Sequence, residues 1–272
     1  MKKRLLLALL VGLGLFFSSQ PVKATEFVSQ STPTLFIHGW GSSYHAEEKM
    51  VKAATKAGVT KTVIIADVDI YGQVTLKGTW DKNAKNPIVE VNFENNKNVN
   101  AVMESQYIKT VVQTLQAKYN FKKINFVGHS MGNSAILYYL RDNANDSSLP
   151  KLNKEVALAA FPNGLVDEMP SDVTLDQDGK PSVTAGDFNN FLVLRETYPK
   201  GAKVLNIYGD VLDGTESDGY VPVKSAKTLR YLVSPRVSSY QEKEITGKMG
   251  QHSKLHNNKT VNKLLIKFLW GK

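Results

Sequence analysis

The stretch Gly128-His129-Ser130-Met131-Gly132 constrains this chain more than any other. The apolar run KINFV at 123–127 leads straight into it, and residues 133–141 follow with small, then apolar side chains at helical spacing. A bare G-x-S-x-G recurs by chance, because glycine and serine are common residues. Placed between a strand and a helix it has mechanical meaning. The serine must then turn the chain sharply, which exposes its hydroxyl, and the flanking glycines let helix and strand approach each other. A helix-capping serine in an ordinary strand-to-helix turn is the plainer alternative.

Strands and helices alternate on both sides of that turn. Residues 34–37 (TLFI) predict a buried strand ending at His38-Gly39, and 47–57 a helix stopped by Gly58. A strand at 62–70 follows, then two β-rich stretches, 73–79 and 87–93, whose polar connection predicts a hairpin extension. Val102, Met103, Ile108, Val111, Val112 and Leu115 give residues 100–119 one apolar helical face. Further strands are expected at 156–160, 203–208 and 238–246, with helices at 221–232 and 261–270. This is the pattern of an α/β domain: a mostly parallel central sheet with helices on both faces. The alternation breaks at about 165–200, which predicts a small inserted cap.

A serine hydroxyl becomes a nucleophile only when a base takes its proton and an acid orients that base. His129 lies inside the turn, where its side chain diverges from that of Ser130; His38 belongs to the loop after the first strand, and His45 stands alone. His252 and His256 both fall between the last strand and the last helix, where a base following serine and acid is expected, and His252 is preferred. Asp218, in Ser217-Asp218-Gly219-Tyr220-Val221-Pro222, is the preferred acid, with Asp213 and Asp210 as alternatives. Backbone N–H groups of Met131 and Trp40 are candidates for holding an oxyanion, and the Trp40 indole for walling an acyl pocket.

The segments FIHGWG, GHSMG, SDGYVP and HSKLH, in this order, resemble the lipase and esterase branch of the α/β-hydrolase superfamily. Within it the chain is most similar to cell-surface hydrolases of uncharacterised substrate from Gram-positive bacteria. The resemblance covers nearly all of the chain after its leader. It implies a Ser130, His252, Asp218 triad, an oxyanion hole from Trp40 and Met131, and cleavage of carboxylic esters without a cofactor. An amidase, peptidase or thioesterase with the same triad is the alternative, as is a catalytically weak surface-binding protein, since one fold hosts many reactions.

Residues 1–24 read as a secretory signal: Lys2, Lys3 and Arg4, an apolar run at 5–17, then Val22-Lys23-Ala24. Thirteen apolar residues fall short of the ~20 that span a bilayer, although an uncleaved anchor is the competing reading. Localisation is therefore expected to be secreted or cell-surface. The leader holds four of the nine net positive charges, leaving a mild +5 that suits peripheral association with an anionic envelope. No basic-aromatic tract points to nucleic acid, and no obligate protein partner is implied. With no cysteine, neither disulfides nor thiolate metal sites are available, and no histidine-carboxylate spacing predicts a catalytic metal. Asp176-Gln177-Asp178-Gly179 lacks the third acidic ligand and distal glutamate of a calcium loop and reads as a hairpin turn.

Overall fold

The computed structural model describes residues 26–81 and 83–271, so the leader expected at 1–24 lies outside the described residues. Eight strands form one sheet in the order β3-β2-β4-β1-β5-β6-β7-β8. They are β1 (Thr34–Ile37), β2 (Val63–Val68), β3 (Val74–Lys77), β4 (Ile88–Phe93), β5 (Lys123–His129), β6 (Lys151–Leu158), β7 (Lys203–Asp210) and β8 (Ser239–Thr246). Only β3 runs antiparallel, against β2. The first three helices are α1 (Glu48–Lys56), α2 (Ala101–Tyr119) and α3 (Met131–Asn143). Six more follow: α4 (Phe188–Phe191), α5 (Leu194–Thr197), α6 (Val223–Lys227), α7 (Leu229–Val233), α8 (His252–Leu255) and α9 (Lys259–Trp270).

Two apolar layers hold the helices to the sheet. One contains Ile108, Val111 and Leu115 of α2 and Ile136 and Leu140 of α3. The other contains Met50 and Ala54 of α1 with Val261, Leu265 and Leu269 of α9. Strands covered on both faces need continuous apolar character, which β1 and β5 supply. The edge strands β3 and β8 instead alternate exposed and partly covered residues, so they can end the sheet facing water.

Helix ends follow local chemistry. The Asn100 side chain accepts from the Met103 N–H at the start of α2, Asn120 ends it in the left-handed region, and Asn258 Oδ1 accepts from the Thr260 N–H at the start of α9. The single helix expected at 221–232 is two, α6 and α7. Between them the Thr228 hydroxyl donates to the Ser225 carbonyl at 2.7 Å, a local bond that competes with a continuous helix.

The hairpin expected from 73–79 and 87–93 does not form. β3 folds back on β2, whereas β4 lies between β2 and β1, parallel to both. Glu90 and Asn92 give β4 the polar alternation of an exposed strand, but α1 covers that face, leaving Glu90 5% exposed. Between β6 and β7, residues 159–202 carry the short helices α4 and α5, which pack beside α3. Phe188, Phe191, Leu194 and Tyr198 from this segment enter the core, with the Tyr138 and Phe191 rings packed edge to face. The turn at 176–179 is closed by a Leu175–Pro181 bridge, with Asp176 Oδ1 accepting from the Asp178 and Lys180 N–H groups.

One feature of this topology locates the site. After β1 the chain passes to α1 on one face, and after β5 to α3 on the other. The carboxyl ends of these adjacent strands therefore part, and a crevice opens between them at the switch point of the sheet.

Candidate active site

Ser130 stands at that crevice, between the last residue of β5 and the first of α3. Its backbone sits at φ 52 and ψ −125, a conformation that costs a non-glycine residue about 1–3 kcal/mol. The neighbourhood enforces it. The Ser130 N–H donates to the Leu158 carbonyl at 2.9 Å, and the buried Asn133 amide donates to the Leu158 and Ser130 carbonyls at 2.7 and 3.2 Å. Gly132 lets α3 start against the end of β1: a Cβ there would lie 2.4 Å from the Ile37 carbonyl oxygen. Gly39 serves the same purpose from the other side, since its Cβ would lie 3.0 Å from Ser130 Cβ.

The hydroxyl of Ser130 lies 2.9 Å from His252 Nε2, and His252 Nδ1 lies 2.8 Å from Asp218 Oδ2. With Nδ1–H donating to the carboxylate, Nε2 is left as an acceptor for the Ser130 O–H. Asp218 is fully buried, and its other oxygen accepts from the Tyr220 and Val221 N–H groups at 2.9 and 2.7 Å. The His252 N–H in turn donates to the Asp218 carbonyl at 2.9 Å, which ties the base-bearing loop to the acid-bearing one. Acid, base and hydroxyl thus form one hydrogen-bonded chain drawn from the ends of β5, β7 and β8.

The alternatives weighed from sequence sit elsewhere. Asp210 Oδ1 accepts from the Leu212 N–H, and Asp213 Oδ1 from the Thr215 N–H and hydroxyl, so both carboxylates hold turns. Those hydroxyl and backbone bonds hold the Asp213 carboxyl below its usual range. His256 packs edge-on against His129, with ring centroids 4.8 Å apart, and its buried Nδ1 has no hydrogen-bond partner among the described residues. His129 Nε2 donates to the His252 carbonyl at 3.2 Å. Burial lowers both rings' affinity for a proton, and neighbouring imidazoles reinforce the effect, most strongly at His129. His38, also lowered by burial, donates from Nδ1 to the Gly39 carbonyl and accepts the Phe93 N–H at Nε2, pinning the loop that leads to Trp40. His45 pairs with Glu48 at the surface.

Among the described residues, none accepts a hydrogen bond from the backbone N–H of Trp40 or of Met131. Met131 opens α3, where the helix dipole favours negative charge. The Trp40 indole does not enter the core: it is 54% exposed and donates to the Lys97 carbonyl at 2.9 Å. Asn133 and the Tyr220 and Val221 amides have no counterpart in the sequence reading. A buried asparagine three residues after Ser130 is a signal that can be read; backbone donors leave none.

Comparison with known proteins sets this geometry in a family. The profile of a family described as alpha/beta hydrolase of unknown function (DUF915) matches residues 21–272. The chain belongs to this family. No curated protein matches it. The structure is similar to that of the lin2722 gene product of Listeria innocua, with 26% identity and a TM-score of 0.80 over 88% of this chain and 94% of that one. It is also similar to a candidate cell-surface hydrolase of Lactobacillus plantarum WCFS1, at 19% identity and TM-score 0.70, covering 88% and 89% of the two chains. The second likeness is one of fold.

Proposed function

We propose that this protein is an extracytoplasmic serine hydrolase that cleaves carboxylic esters. The observation that carries the reading is the unbroken hydrogen-bonded chain from Ser130 through His252 to Asp218. In this reading His252 Nε2 takes the hydroxyl proton as Ser130 Oγ attacks the acyl carbonyl. The tetrahedral oxyanion accepts hydrogen bonds from the N–H groups of Trp40 and Met131. The C–O bond to the alcohol then breaks, and the alcohol leaves with the proton from His252. Water, deprotonated by the same imidazole, cleaves the acyl-serine ester and returns the hydroxyl. Asp218 holds the ring in the required tautomer and stabilises its positive charge. Neutral His129, with its Nε2–H committed to the His252 carbonyl, takes no part in proton transfer.

An apolar acyl or alcohol group suits the mouth of the site. Trp40, Val166, Leu212, Tyr220 and Met249 are exposed on the loops after β1, β6, β7 and β8, and the Tyr220 ring lies 5.2 Å from that of His252. Export is supported by the basic and apolar composition of residues 1–24 and by the cell-surface description of the Lactobacillus protein.

A panel of p-nitrophenyl esters of increasing acyl length, run beside matched anilides and thioesters, tests the reading. The esters should be turned over and Ser130→Ala should leave only the uncatalysed rate. Equal rates for the two proteins reject the mechanism, and faster anilide cleavage reassigns the bond.

A further inference from the structure

The edge of the sheet opposite Ser130 is built from cations. β5, β6 and β7 each begin on a lysine, Lys123, Lys151 and Lys203. Lys123 stands directly across from Lys151 in the register of β5 and β6, and Lys154 across from Lys203 in that of β6 and β7. Like charges on neighbouring strands repel each other; Lys154 is held by the Phe268 and Leu269 carbonyls, whereas Lys123, Lys151 and Lys203 are exposed at the strand starts. Lys122 and Lys200 extend the row, both exposed. The nearby acids Asp142 and Asp146 are engaged, by Arg141 and by the Ser148 N–H and hydroxyl. A cavity of about 320 Å³ opens in this edge, with Lys151, Lys200 and Arg236 in its wall beside the single carboxylate Asp146; the Arg236 Nε donates to the Tyr198 carbonyl at 3.0 Å.

The loops at the other edge carry more acids than bases. Asp69, Glu94, Asp167, Glu168, Asp213 and Glu216 lie there with Lys97, Lys224 and Lys248, on segments that follow β2, β4, β6, β7 and β8. β5 alone separates the two edges by about 23 Å, at ~3.3 Å for each of its 7 residues. The molecule is therefore polarised along its strands, with the serine at the acidic pole.

The described chain also begins beside the cationic pole. Phe27 bridges to Gly271, the Val28 N–H donates to the Trp270 carbonyl, and Lys154 Nζ donates to the Phe268 and Leu269 carbonyls at the end of α9.

We propose that this lysine edge docks on an anionic lipid bilayer, with the cavity walled by Lys151, Lys200 and Arg236 receiving a phosphate headgroup and Ser130 facing away from the membrane. Electrostatic attraction of clustered lysines to anionic lipid falls off within a Debye length, so an edge contact suffices and no apolar insertion is required. Substrate then reaches the site from the side away from that bilayer.

Vesicle sedimentation of the full chain tests this, with phosphatidylglycerol–phosphatidylcholine vesicles against phosphatidylcholine alone. The variant K122E/K151E/K200E is compared with K97E/K224E/K248E, which reverses three charges near the opposite edge. Both keep residues 1–24, so any contribution of the leader is shared. Partition onto the anionic vesicles should fall roughly tenfold or more in the first variant and stay near wild type in the second, with high salt removing the difference. Ester hydrolysis by the first variant should be unchanged, which reports that it is folded; the neutral K122Q/K151Q/K200Q gives an intermediate partition if the reversal does not fold. Equal partition of the two charge-reversed proteins, or no preference for phosphatidylglycerol, overturns the proposal. So does retention on polyphosphate beads without vesicle binding, which would assign the edge to a soluble polyanion.

Discussion

The two ends of the sheet differ in how much stability they give up. At the amino ends of the strands the positive-φ residues are asparagines, Asn86 and Asn120, which tolerate that conformation, and the unfavourable feature is a row of mutually repelling lysines at the surface. At the carboxyl ends it is internal. Ser130, Ala159, Leu212 and Glu216 all sit at positive φ, large apolar side chains face water, and Glu47 and Glu104 are buried at the starts of α1 and α2. Strain and misplaced polarity persist only where surrounding contacts over-determine them, and they collect where geometry has a use. The contrast separates an end that holds a geometry from an end that presents a charge.

That contrast can be broken first through turnover. Asp218→Asn keeps the packing but lets the ring of His252 adopt the wrong tautomer, so kcat should fall by about 10³–10⁴ in stopped-assay rates while the denaturant midpoint barely moves. Lys123→Ala should leave kcat at the wild-type value; a comparable drop there would erase the distinction between the edges.

Packing comes next. Gly132→Ala places a methyl within 2.4 Å of the Ile37 carbonyl oxygen, a rigid backbone atom, and should cost about 2–4 kcal/mol in urea unfolding. A smaller change of opposite sign is expected at Ser130→Gly. Relief of the φ 52 strain, offset in part by glycine's added freedom in the unfolded chain, should raise stability by about 1 kcal/mol while activity disappears.

The pH dependence sharpens the same comparison. Burial, with Glu90 adding to it, pushes Glu47 up to about 8, and burial alone does the same for Glu104. The folded chain keeps these protons after the unfolded chain has released them. Their contribution is therefore complete below the ordinary carboxylate range and is lost as pH rises through about 8. Denaturant midpoints measured from about pH 6 to about pH 9 should decline, and Glu47→Gln should flatten the decline. His38, His129 and His256 act in the other direction, because rings kept neutral by burial lose stability as the pH falls below 6.5. The smallest expected effect is at the amino edge: Lys151→Gln should gain a few tenths of a kcal/mol at low salt and nothing at high salt.

Much of this architecture could be read in the residues. Apolar runs of strand length separated by helical periodicity predict a parallel sheet because strands buried on both faces leave little choice of composition, and TLFI and KINFV fall where β1 and β5 are. β4 misled because Glu90 and Asn92 mimic a half-exposed strand, and only tertiary cover by α1 reveals that the glutamate is buried, where burial holds its carboxyl up at about 7. At the site, chain order singled out Ser130, Asp218 and His252, and the structure brings these three side chains together. The choice between His252 and His256 is a matter of four residues and one helical turn, which spacing does not resolve but the 2.9 Å contact of His252 Nε2 with the Ser130 hydroxyl does. Asn133 and the two amides on Asp218 stayed hidden, because their roles depend on which backbone groups a fold brings near them.

Labelling with a fluorophosphonate, followed by peptide mass mapping, reads out the activation of Ser130 itself, because the reagent bonds to a serine whose proton is being withdrawn. A single adduct is expected on the peptide containing Ser130, formed at least about a hundredfold more slowly in His252→Ala. An adduct on another serine, or labelling of Ser130 at the same rate without His252, would contradict that activation.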